Sequence, residues 1–143
     1  MNKDVLVKVI GTQTMPGETI EDAEPISLMT KGTLEPLENG WLLTYEEVFE
    51  DVPGVTTNVV KIQKDRIEVT KTGQVSTEMI FEVGKTTITL YDTPFGSMDM
   101  GFNASSVEVE ETDKQIDVKI AYAMSINNQM TAQCRLDMTI ISK

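Results

Sequence analysis

Histidine is absent from the chain, and cysteine occurs once, at Cys134. Zinc and copper sites are built mainly from imidazole and thiolate, so neither is expected. A serine or cysteine nucleophile also lacks the imidazole that would normally take its proton. One cysteine cannot form an internal disulfide, which points to a reducing compartment. Arginine occurs only at Arg66 and Arg135, and net charge is -11. Nucleic acid and anionic membranes are held through clustered Lys and Arg, so neither is an expected partner. No apolar run approaches the roughly 20 residues that span a bilayer. The N-terminal MNKDVLVKVIGT has no apolar core or cleavage pattern of a signal peptide. The cytoplasm is the expected location. No glycine-rich turn opens a helix, which excludes the usual phosphate and dinucleotide cradles.

What is present is alternation. Ile116, Val118, Ile120, Tyr122, Met124 and Ile126 recur at every second position, interleaved with Asp117, Lys119 and small residues. After Asn127-Asn128 the pattern resumes from Met130 through Ala132, Cys134 and Leu136 to Met138 and Ile140. Period two marks strands with one buried face, and asparagine suits the left-handed backbone of a tight hairpin. The same rhythm runs from Val75 to Val83, ending at Gly84-Lys85. Earlier strands centre on Val60 and Val69, punctuated by Lys64-Asp65 and Thr72-Gly73. Asn39-Gly40 predicts a hairpin between KGTLEPL and WLLTYEEVF. A first strand is expected over 5–12, and others over 86–91, 98–104 and 107–111. Residues 15–25, MPGETIEDAEP, read as an acidic loop, and no segment has helical periodicity.

About ten strands joined mostly by short turns make an antiparallel meander, and closing such a sheet removes its exposed edges. The expected fold is all-β: one up-and-down barrel over residues 1–143. In YDTPFGSMDMGF, residues 91–102, Thr93-Pro94-Phe95-Gly96 has proline second and glycine fourth, as in a type I turn. It predicts a corner, followed by a strand that turns Met98, Met100, Phe102 and Ala104 inward.

The TPFGSMDMG run resembles the YwiB-like family of small bacterial proteins of unknown function. So do the KGTLEPLENGWLLTYEE hairpin and the STEMIFEVGK strand. The resemblance covers nearly the whole chain. It implies a calycin-like barrel, related in architecture to lipocalins and fatty-acid-binding proteins. It carries no catalytic residues across. By analogy of fold alone it suggests small apolar ligands.

The interior set contains Met79, Phe81, Met98, Met100, Phe102, Tyr122 and Met124, and Tyr45 is a polar group near one mouth. These eight residues are the candidate lining of a site for a small, mainly apolar ligand, since thioethers adapt to irregular shapes. The competing expectation is a barrel filled by those same side chains. It would then act as an interaction or structural module through its acidic exterior, or through Trp41 or Phe49. Glu78, Glu82, Asp99, Glu108 and Glu110 alternate with apolar neighbours and are expected to face outward. Two acidic groups could offer oxygens to calcium, Glu18/Glu21/Asp22/Glu24 and Glu46/Glu47/Glu50/Asp51, but neither has the spacing of a calcium loop. Cys134 lies on the apolar face and is expected to be a buried small hydrophobe. Tyr45, Tyr122, Glu46 and Glu47 could build a catalytic mouth, but nothing selects them. Neither enzymatic activity nor a cofactor is expected.

Overall fold

The computed structural model describes residues 3–14, 19, 23–48, 54–94, 96–127 and 129–143. Among these residues ten strands follow one another. They are β1 (Lys3–Gln13), β2 (Ile26–Leu37), β3 (Gly40–Glu47), β4 (Thr56–Ile62) and β5 (Arg66–Gly73). β6 (Thr77–Glu82), β7 (Thr86–Thr93), β8 (Gly96–Glu111), β9 (Gln115–Ile126) and β10 (Gln129–Ser142) complete the set. They form one sheet in the order β6-β5-β4-β3-β2-β1-β10-β9-β8-β7. Every ladder joins sequence neighbours except β1–β10, which brings the two ends of the chain together. The sheet is a nearly closed antiparallel barrel, and its one seam lies between β6 and β7.

The seam is held sparsely. Ser76 and Asp92 exchange two backbone hydrogen bonds of 2.9 Å, and Val83 makes a single parallel bridge to Ala104. The Thr87 hydroxyl donates to the Ile80 carbonyl at 3.0 Å. Elsewhere the alternation does what period two dictates. In β9, Ile116, Val118, Ile120 and Met124 are buried, and the intervening Lys119 is exposed. Glu78, Asp99, Glu108 and Glu110 are exposed and Glu82 half-exposed, as their phase requires.

Several local expectations need correction. The stretches 98–104 and 107–111 belong to one strand, β8, which carries a bulge. Ala104 pairs with Tyr122 and Ser106 with Ala121, so Ser105 is the extra residue. That residue moves the inward phase from even to odd positions and disguises one long strand as two. The β2–β3 hairpin occurs where expected, but its two loop residues are Glu38 and Asn39. Leu37 and Gly40 form the closing pair. Gly40 is needed for another reason, because a Cβ there would run into the backbone carbonyl of Ile62. Val83 does not face inward; it is 54% exposed, beyond the end of β6. β2 begins at Ile26, five residues before KGTLEPL.

Other turns match. Asn127 has φ 51°, the left-handed conformation expected of it. Thr93 pairs with Gly96 to close the β7–β8 corner, and Gly96 has φ 130°. Phe49, Phe95 and Asn128 lie outside the described residues, as do Glu18, Glu21, Asp22, Glu50 and Asp51. So does most of the expected loop at 15–25, although Ala23 is described and buried.

The interior is layered by side-chain type. Call the lower end the one reached by the β2–β3, β4–β5, β6–β7 and β8–β9 turns. There branched aliphatics from all sides meet, including Val7, Leu43, Val60, Ile67, Val118 and Ile140, none more than 2% exposed. The Trp41 indole N–H donates to Glu111 Oε1 at 2.8 Å, and Lys3 Nζ lies 5.9 Å from the indole centroid. These contacts tie β3, β8 and β1 together across the lower rim. The upper half is different.

Candidate functional site

Above the aliphatic layer the barrel holds a cavity of about 690 Å³, within the range of small-molecule sites, roughly 300–1,000 Å³. All eight residues read from the sequence as candidate lining stand on its wall. Tyr45 comes from β3, Met79 and Phe81 from β6, Met98, Met100 and Phe102 from β8, and Tyr122 and Met124 from β9. They converge because each strand contributes its inward positions near the same barrel end. Val9 of β1, Leu28 of β2, and Cys134, Leu136 and Met138 of β10 complete the apolar wall.

The floor is aromatic. Phe81 lies 5.6 Å from Phe102 in an edge-to-face arrangement (interplanar angle 69°) and 4.7 Å from Tyr122. Phe102 and Tyr122 are 6.0 Å apart. Such pairs add stabilisation beyond area burial and hold each ring in one orientation. The methionines above them are unbranched and can repack around different shapes.

One side of the cavity is polar; the sequence reading named Glu47 near a barrel mouth but missed Asn58 and Lys71. Lys71 of β5 lines the wall and donates to Glu47 Oε1 at 2.9 Å and to Asn58 Oδ1 at 2.7 Å. The Asn58 amide closes the ring by donating to the same Glu47 oxygen at 3.1 Å. Asn58 is 0% exposed, and the Lys71 and Glu47 side chains retain only 13% and 21%. The three residues sit on adjacent strands, with Asn58 registered opposite both Tyr45 and Lys71. The signal was present: Asn58 shares its phase with Val60 and Ile62, and Lys71 with Ile67 and Val69. A polar residue interrupting an apolar face is the informative observation.

Burial raises the pKa of all three tyrosines in the chain, Tyr45, Tyr91 and Tyr122. The Glu47 charge adds to the effect at Tyr45 and Tyr91, and the Cys134 thiol adds to it at Tyr122. Cys134 is buried, opposite Tyr122 in the ladder, and its thiol pKa is raised by burial. In the unfolded chain the thiol ionises near pH 8.5 and the phenols near pH 10. The folded groups hold their protons longer, so the unfolded state releases them first. The contribution of these four groups to stability is therefore intact below about pH 8.5 and is lost as pH rises further, most steeply above about pH 10. Tyrosinate absorbance should appear in one step with loss of the β-sheet circular dichroism. A gradual tyrosinate rise near pH 10 in folded protein would show that the phenols are not buried.

Among the described residues, no group of three His, Cys, Asp or Glu side chains is placed to hold a metal ion. No helix there is long and apolar enough to cross a membrane.

A family described as "Domain of unknown function (DUF1934)" matches residues 7–138. The chain is 26% identical over 106 residues to the "Uncharacterized beta-barrel protein YwiB" of Bacillus subtilis (strain 168), covering 74% of this chain and 73% of that protein. The crystal structure of the ywiB protein from Bacillus subtilis superposes with a TM-score of 0.86 at 20% identity. That match covers 99% of this chain and 93% of the other.

Proposed function

The chain belongs to the DUF1934 family, whose description assigns no activity, and we propose from the shape of its interior that it is a non-catalytic barrel that binds a small, mainly apolar ligand. The observation that carries this reading is the 690 Å³ cavity walled by methionine and aromatic side chains. Proteins pack their interiors to about the density of organic crystals. The lower half of this barrel brings together branched aliphatics that are almost wholly buried, whereas the upper half opens into the cavity. The lower half carries the fold and the upper half is free to accept a guest. Cys134 fits a reducing compartment, and the reading places the protein in the cytoplasm.

The test is titration with N-phenylnaphthylamine, an uncharged apolar dye that fluoresces when removed from water. Saturable binding is expected, with at least about tenfold weaker affinity in Met100→Trp, whose larger ring would occupy the cavity. Circular dichroism should show the variant folded. A dye signal that never saturates, or that Met100→Trp leaves unchanged, would refute binding in the cavity.

A further inference from the structure

We propose that the ligand carries an uncharged hydrogen-bonding head group, such as a primary amide or hydroxyl, seated against the polar wall formed by β3–β6. The inference rests on the binding reading above and specifies the chemistry of its occupant.

The polar wall is a charge-balanced unit. Lys71 and Glu47 neutralise one another at 2.9 Å, and Asn58 bonds to both. A carboxylate head would bring a second negative charge beside Glu47, and an ammonium head a second positive charge beside Lys71. Either would break the existing pair or remain unmatched away from water, which is unfavourable in both cases. The net charge of -11 further opposes the approach of an anion.

An uncharged head meets no such penalty, and the wall has hydrogen-bonding capacity to spare. Both bonds to the Glu47 carboxylate fall on Oε1, and Oε2 accepts none among the described residues. Lys71 uses two of its three ammonium hydrogens in these bonds. On β6, Thr77 stands opposite Lys71 behind the cavity lining, and its buried hydroxyl has no hydrogen-bond partner among the described residues. Tyr45 and Tyr91 also line the cavity, close enough to Glu47 to feel its charge. Buried polar groups are almost always paired. A neutral group with both a donor and an acceptor can take the open carboxylate oxygen while accepting from the ammonium or a hydroxyl.

Displacement of N-phenylnaphthylamine by dodecanamide, dodecanol, dodecanoate and dodecylammonium compares heads on one apolar body. The wild-type protein should bind the amide or the alcohol at least about tenfold more tightly than either ion. In Glu47→Gln, which leaves Lys71 without its counter-charge, dodecanoate should gain about tenfold relative to dodecanamide. Preference for dodecanoate in the wild type would overturn the inference, and loss of that preference in Arg135→Gln would place the anion at the exposed cavity margin instead. Equal displacement by all four heads would overturn it while leaving cavity binding intact. Failure of the dye to saturate would refute the binding reading itself, before any head group is compared.

Discussion

Leu43→Ala is expected to cost the barrel about 3 kcal/mol of stability, and Met98→Ala less than about 1 kcal/mol. Both substitutions remove most of a large apolar side chain from an inward position, so composition and strand phase do not distinguish them. Their surroundings do. Leu43 is 0% exposed in the aliphatic layer, with Val60 opposite it in the ladder to β4. Removing its branched end forfeits transfer energy and leaves a void that the stiff β-branched neighbours cannot collapse to fill. Met98 is half-buried on the wall of a cavity that already exists. Its truncation enlarges an open space and breaks fewer packing contacts. Denaturant midpoints of the two variants, at unchanged m-value, give the comparison directly. Equal losses would mean that the upper half is packed as tightly as the lower, and the ligand-binding reading would fall with that result.

Lys71→Met should destabilise the protein by about 2–3 kcal/mol, and adding Glu47→Gln should restore part of the loss. Removing one partner of a fully buried ion pair typically costs about 3–5 kcal/mol, because the other charge is left unmatched. The lower figure applies because Lys71 and Glu47 keep 13% and 21% side-chain exposure. The single substitution leaves the Glu47 carboxylate unneutralised and Asn58 Oδ1 without its donor. In the double variant the charge is gone from both sides, and an amide at position 47 can still accept from Asn58. A double-mutant cycle should therefore give a coupling of about 1–3 kcal/mol. Strict additivity would show that the two side chains do not act as a pair in solution.

Much of the architecture was written in the chain. The period-two runs around Ile116–Ile126 and Ala132–Ile140 could bury one face only as strands, and both are strands. Short turns between successive strands left few topologies besides a meander. β2 was harder to read at its start because its inward positions include Thr30 and Gly32, which break the apolar rhythm. Gly32 is small for a tertiary reason: a Cβ there would lie 2.8 Å from the Thr44 carbonyl and 3.1 Å from Val7. The bulge at Ser105 hid the continuity of β8, since a strand that changes phase reads as two.

The candidate lining was also legible, because inward methionine and aromatic positions are identified by phase alone. Phase, however, gives the direction of a side chain and not its depth. Whether Met, Phe and Tyr fill a barrel or line a hollow in it depends on where each strand stands against its neighbours. That register placed the branched aliphatics together at the lower end and the methionines and rings together at the upper end. The polar wall depended on tertiary structure in the same way. Glu47, Asn58 and Lys71 are separated by 11 and 13 positions in the chain, and each looks alone in its own strand. Only pairing of β3 with β4 and β4 with β5 brings their polar atoms within hydrogen-bonding reach, because the ladder, and not the local sequence, decides which inward residues are opposite one another. The amino-acid sequence by itself determined most of the strands, their inward faces and their order; the tertiary structure decided that branched aliphatics meet at one end of the interior, that a cavity opens at the other, and that one wall of that cavity is polar.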